Sequence, residues 1–174
     1  EYVFTDADLA GGYEYTISVI DHANNSNVTE SDVFYVSHIC GNPLSGNKSQ
    51  NIDDRISGSV FEIMVNGTAD SITACLQSNL STPPEVKCMV YLKSNGSLIG
   101  TTENKTVFTG NESDWIVFNF SSPKPQLIRD TEYVLACWSN DTCKLDYCEV
   151  TEQSGRYKTQ TYGSPPDPVY WYPT

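Results

Sequence analysis

With 174 residues, 22 acids against 10 bases and a net charge of −12, the chain can hold one good core, or one full domain plus part of another. Its acidity makes nucleic acid and anionic membranes poor partners, because phosphates would be repelled. No stretch approaches the roughly 18 uninterrupted apolar residues a spanning helix needs, so membrane insertion is not expected. Without a basic stretch leading into an apolar one, and without an initiating Met, the expectation is a mature or trimmed product.

Taken in chain order, the first expected strands fall at 13–20 and 32–37. In YEYTISVI, Tyr13, Tyr15, Ile17 and Val19 share one face while Glu14, Thr16 and Ser18 share the other. Eight residues would extend about 27 Å. In DVFYV, Phe34 and Val36 alternate with Val33 and Tyr35. A boundary follows near Ser37–Pro43, dividing an N-terminal strand segment, 1–37, from the remainder, 38–174.

Beyond it, strands are expected near 59–65, 71–77, 87–93, 97–102, 114–120, 131–138, 145–150 and 156–162. Gly, Pro, Asn and Ser clusters separate them, and no window carries a 3.6-residue apolar period. Short strands at this spacing predict an all-β fold, an antiparallel β-sandwich or jelly roll preceded by spare strands. SNGSLIG reads as a hairpin turn in which Asn95 and Gly96 supply positive φ angles.

Asn-x-Ser/Thr sequons occur at Asn24, Asn27, Asn47, Asn66, Asn79, Asn95, Asn104, Asn111, Asn119 and Asn140, ten of the 13 asparagines. With Ser and Thr at about a fifth of the chain, chance predicts roughly two or three matches. The excess predicts a heavily N-glycosylated extracellular or cell-surface protein. Asn119 sits inside WIVFNFS, where Ile116, Phe118 and Phe120 share one face and Asn119 the opposite, solvated one.

Six cysteines stand at Cys40, Cys75, Cys88, Cys137, Cys143 and Cys148. They lack the two close pairs of a structural zinc site, so disulfides in an oxidising compartment are expected. Six cysteines allow 15 connectivities, and the sequence does not choose among them. The Ser-Thr-Pro-Pro segment between Cys75 and Cys88 suggests that those two pair across a hairpin.

No catalytic constellation emerges. There is no GxSxG, no HExxH and no Walker-type glycine loop, and His22 and His38 lie in a sequon-rich turn and a link. The chain is expected not to be an enzyme and to hold no cofactor. Asp53 and Asp54 could offer carboxylates to calcium, but two acids before Arg55 read more simply as solvated loop charges. Trp115 and Trp138 lie in strand patterns and are expected in the core or in cross-strand pairs, while Trp171 is expected at a subunit interface.

The run NGTADSITACLQSN, VKCMVYLKSNGSLIGTTENKT, WIVFNFSSP, LIRDTEYVLACWSN and GRYKTQTYGSPPDP resembles a jelly-roll module common in secreted and surface-anchored bacterial and archaeal proteins. It covers about residues 55–168, and its motifs are structural. YEYTISVIDHANNSN is similar to the closing strand and turn of immunoglobulin-like repeats. Members of the jelly-roll family continue past the QTYGSPPDP segment into a final long strand, where this chain reads PVYWYPT. The resemblance therefore implies a module short of one strand, with spare strands at the other end. It implies head-to-tail strand donation between copies through Tyr13, Tyr15, Ile17, Val19, Phe34 and Val36, building a glycosylated pilus-like filament. The alternative is a carbohydrate-binding or adhesion module from a larger tandem-repeat surface protein.

Overall fold

A computed structural model describes residues 11–20, 26–36, 46–147 and 155–173. The chain divides into two compact units, Glu1–Ile39 and Cys40–Thr174.

In the first unit, β1 (Gly11–Ile20) and β2 (Ser26–Val36) form an antiparallel hairpin. The register sets Tyr13 opposite Phe34, Tyr15 opposite Asp32, Val19 opposite Asn27 and Gly11 opposite Val36. It slips between Ile17 and Ser18, which stand opposite Glu30 and Val28, so Thr29 is the extra residue of a bulge. The second strand therefore starts six residues before the expected 32–37.

The second unit contains β3 (Lys48–Asn51), β4 (Arg55–Ile63), β5 (Gly67–Thr68), β6 (Ser71–Gln77) and β7 (Glu85–Leu92). There follow β8 (Leu98–Thr101), β9 (Lys105–Thr106), β10 (Asp114–Asn119), β11 (Gln126–Leu127) and β12 (Thr131–Ser139). Last come β13 (Lys144–Tyr147), β14 (Gly155–Thr159) and β15 (Tyr172–Pro173). Every paired ladder is antiparallel, and no helix occurs among the described residues. The fold is an all-β antiparallel sandwich.

A seven-stranded sheet runs β15-β14-β4-β12-β7-β8, with β9 also on β7. A four-stranded sheet runs β10-β6-β13-β3, and β11-β5 makes a small ribbon. Alternation decides which side chains meet between the sheets. Ile72, Ala74 and Leu76 of β6 and Phe118 of β10 pack with Val86, Cys88 and Val90 of β7 and with Tyr133 and Cys137 of β12. Fully burying one such large apolar side chain is worth roughly 1.5–3 kcal/mol, so this layer holds the sandwich shut.

The opposite face of the seven-stranded sheet is buried as well. Ile56, Met89, Tyr91, Val134, Ala136 and Trp138 form a second core with Val169, against which Tyr162 and Trp171 pack. The segment between β14 and β15 thus crosses that face as a strap. Asp54, at φ 46°, anchors its start by accepting Gln160 N–H on its carbonyl (2.9 Å) and Tyr162 N–H on Oδ1 (3.1 Å). Trp138 Nε1 donates to Gln160 O (3.0 Å), and Lys87 Nζ to Gly163 O (2.6 Å). Further on, Asp167 Oδ1 accepts Leu98 N–H at 3.0 Å, and Val169 N–H donates to Gly96 O at 2.9 Å.

The β7–β8 turn differs from the expected one. Among its residues only Gly96 has a positive φ, 74°. Leu92 N–H donates to Ser97 O and Gly96 N–H to Leu92 O, making a four-residue loop, while Asn95 Oδ1 accepts Ser97 N–H. A Cβ on Gly96 would stand 2.0 Å from Val169 O, so the strap requires glycine there.

Candidate functional site

The sequons supply the chemistry most visible on this surface. Asn24 lies outside the described residues, and Asn27 lies in β2. The other eight, Asn47, Asn66, Asn79, Asn95, Asn104, Asn111, Asn119 and Asn140, are all exposed. At four of them, Asn66, Asn95, Asn111 and Asn140, the fold uses the amide oxygen and leaves the nitrogen, the atom that would carry sugar, outside these bonds. Asn66 Oδ1 accepts Arg129 N–H (2.7 Å), Asn95 Oδ1 accepts Ser97 N–H, and Asn140 Oδ1 accepts Glu85 N–H (2.8 Å). Two sites differ, with Asn79 Nδ2 donating to Asn111 Oδ1 (2.9 Å) and Asn119 Nδ2 to Glu103 Oε1 (3.0 Å). Asn119 N–H also donates to Glu103, and that bond first, with Lys105 second, holds the Glu103 carboxyl below its ordinary range.

Mapped on the sheets, the sequons guard edges. Asn47 immediately precedes edge strand β3, and Asn95 and Asn104 flank β8. Asn111 precedes edge strand β10, and Asn119 ends it. Paired strands lie about 4.7–4.9 Å apart, which leaves no room for a glycan beside an edge.

The remaining edge is different. Neither Arg55–Ile63 nor Gly155–Pro173 contains an asparagine, so β4, β14, the strap and β15 form one sequon-free strip. Arg55 stacks 4.0 Å over the Tyr157 ring, Tyr157 packs on Tyr172 at 5.6 Å, and Lys158 Nζ lies 5.4 Å from the Tyr172 ring. Neither Arg55 nor Lys158 has a carboxylate partner among the described residues. Tyr170 and Tyr172 are 73% and 51% exposed. The edge strand itself is two residues long and contains Pro173, so side chains offer more here than the β15 backbone does. By contrast, residues 1–39 of the sequence hold seven acids and no Lys or Arg.

Other candidate residues find different places. Tyr13, Tyr15, Ile17 and Val19 lie in β1, and Phe34 and Val36 in β2. His22, His38, Cys40 and Cys148 lie outside the described residues. The expected Cys75–Cys88 pair is not formed. Cys75 lies on the outer face of β6, opposite in phase to Ile72, Ala74 and Leu76, with Sγ 3.7 Å from Asp146 Oδ2. Burial, then Asp146, pushes the Cys75 thiol up to about 11. Cys88 faces the inner core instead, its sulfur 3.1 Å from that of Cys137.

Asp54 spends its carbonyl and one carboxylate oxygen on the strap. The Asp53 carboxyl is raised, first by burial and then by Asp54 and Asp141. No cluster of three His, Cys, Asp or Glu side chains suited to a metal occurs among the described residues. Trp138 is fully buried in the core, whereas Trp115, 40% exposed on the outer face of edge strand β10, stands opposite Cys75 of β6, the cross-strand placement rather than the core one. Trp171 is half-buried within its own chain, edge-on to Tyr91 at 5.2 Å. Compared with family models, curated proteins and solved structures, the chain finds no match.

Proposed function

We propose that the chain is a jelly-roll subunit of an extracellular, heavily N-glycosylated filament, in which the N-terminal strands of one copy add to the next copy. The observation that carries this reading is the distribution of sequons. Three sheet edges are guarded by exposed asparagines, and one, β14–β15, is bare, aromatic and cationic. The acidic segment 1–39 has complementary charge. A two-stranded hairpin is marginal alone in water and gains by joining a larger sheet. The contact joins two different surfaces, so repeating it yields an open fibre rather than a closed ring. Such a chain acts by position and surface, not by catalysis.

The exposed tyrosines also favour a second reading, binding of a carbohydrate by ring stacking. Tyr157 and Tyr172 are inclined at 40° to each other and so make no flat platform, which ranks this reading below assembly.

The test places a sugar on the bare edge. Lys158→Asn with Gln160→Ser creates a sequon on β14 while keeping Thr159. The expected result is that the full glycosylated chain forms fibres by electron microscopy and sizing, whereas the variant stays monomeric. Fibres from a variant shown by mass spectrometry to carry sugar at position 158 would refute this edge as the junction. A parent chain that is monomeric at every concentration, but binds an oligosaccharide lost on Tyr172→Ala, would replace assembly with the second reading.

A further inference from the structure

We propose that Cys88 and Cys137 form a cross-strand disulfide that staples β7 to β12 inside the sandwich. The two residues are directly opposite in the β7–β12 register. Cys88 N–H donates to Thr102 Oγ1, and Cys88 O accepts Thr102 N–H, both at 2.9 Å. Its backbone therefore points toward β8 and away from β12. That makes Cys88 and Cys137 a non-hydrogen-bonded pair, the kind whose Cα atoms approach to about 4.5 Å and whose side chains lie closest. Disulfides bridge Cα separations of about 4.4–6.8 Å. At 3.1 Å the sulfurs already sit inside ordinary van der Waals contact.

The surroundings select this pair over its neighbours. Cys75 is on the other side of the four-stranded sheet, facing Asp146. Cys143 lies in the same core as Cys88 and Cys137, but on β13's approach in the opposite sheet, with its sulfur turned toward Lys144 O at 3.9 Å. It is the one other described thiol that could compete.

Formation needs an oxidant, here a disulfide-bearing molecule of the export compartment. One cysteine thiolate attacks that disulfide, forming a mixed disulfide and releasing one oxidant thiolate. The second cysteine thiolate then attacks the protein sulfur and releases the other. The protein loses two protons and two electrons, and the oxidant's disulfide becomes two thiols. Neither step suits the folded chain, where Cys88 is inaccessible, Cys137 nearly so, and burial pushes the Cys88 thiol well up. The bond therefore forms while β7 and β12 pair and before the four-stranded sheet closes over them. Once buried, it is shielded from reductant. The inference is independent of the assembly reading, since it needs only an oxidising compartment.

The test is peptide mapping of the full glycosylated chain, unfolded in guanidinium with an alkylating agent and no reductant. A linked Cys88–Cys137 peptide is expected, and it should persist in Cys143→Ala. Alkylated Cys88 and Cys137, or either one linked to Cys143, would overturn the proposal. A second readout uses the native protein, in which dithiothreitol should cleave the bond at least roughly tenfold more slowly than in denaturant. Equal rates would contradict a bond buried in this core.

Discussion

On its inner side β7 presents Val86, Cys88 and Val90 to the aliphatic face of β6; on its outer side the same strand presents Met89 and Tyr91 to a strap without regular structure. The inner layer is sheet against sheet, so every contact is repeated by the next residue pair along the strands. The outer layer is aromatic, and individual hydrogen bonds locate it: Trp138 to Gln160, Lys87 to Gly163, Leu98 to Asp167 and Val169 to Gly96. A layer fixed by repetition loses stability gradually as side chains are removed. A layer fixed by single contacts can come away as a unit while the rest stays folded.

The largest expected effect separates the two layers. Trp138→Ala and Phe118→Ala each remove a fully buried aromatic, one from each layer, and each should cost about 3–5 kcal/mol in urea unfolding. Their local consequences should differ. Trp138→Ala should also expose the strap to cleavage after Tyr170 and Trp171 in the native state, because it loses the Gln160 bond and the Tyr162 ring contact at 5.1 Å. Phe118→Ala should leave strap cleavage tied to global unfolding. Identical native-state cleavage in the two variants would show that the strap and the sandwich unfold together.

Gly96→Ala should act next most strongly, and through the strap. At φ 74° an alanine is strained by about 1–2 kcal/mol. Its methyl would also collide with the Val169 carbonyl, which lies 2.0 Å from the Cβ position. The expected outcome is strap protection lost by hydrogen exchange at Val169 N–H while Val86 and Val90 stay protected. Unchanged exchange at Val169 would mean that the turn and strap adjust together.

The same contrast explains which parts could be read from the sequence. Where alternation runs uninterrupted, phase alone assigns faces: Ile72, Ala74 and Leu76 inward, Phe118 and Phe120 inward, Asn119 outward. Phase also held two answers that residue type obscured. Trp115 and Val117 are in phase with Asn119, so their exposure follows from the pattern, although large aromatics in strands are more often buried. Cys75 is in phase with Thr73, outside, while Cys88 is in phase with Val86 and Val90, inside, which already separates them. The strap was not legible. GSPPDPVYW has no period, and Trp171 finds Tyr91 only because Asp54 and Gly96 fix where the segment starts and lands. Strands of two residues, such as β5, β9, β11 and β15, exist through their partners and leave no local signature. The bare edge was equally hidden, since it is defined by strand order.

The smallest effect at neutral pH tests how the strap handles its polar atoms. The hydroxyls of Tyr91 and Tyr162 are buried and have no hydrogen-bond partner among the described residues. Removing one leaves nothing unpaired, so Tyr162→Phe should change stability at pH 7 by less than about 1 kcal/mol. Alkali should reveal the difference. Burial pushes the Tyr162 hydroxyl up to about 12 from an ordinary value of 10.0, and Tyr91 is pushed up further. A group whose pKa is raised by folding contributes stability that is complete below its unfolded pKa and is lost as pH rises through the folded one. Wild-type stability should therefore fall between about pH 10 and 12. Tyr162→Phe should have a shallower fall over that window, because one of the protons that unfolding releases is absent. An equally steep fall in the variant would place the alkaline sensitivity elsewhere, on Tyr91 or on the thiols of Cys75 and Cys143, whose pKa values are also raised. Repeating the titration on Tyr91→Phe and on Cys143→Ala would then assign it to the outer layer or to the inner one.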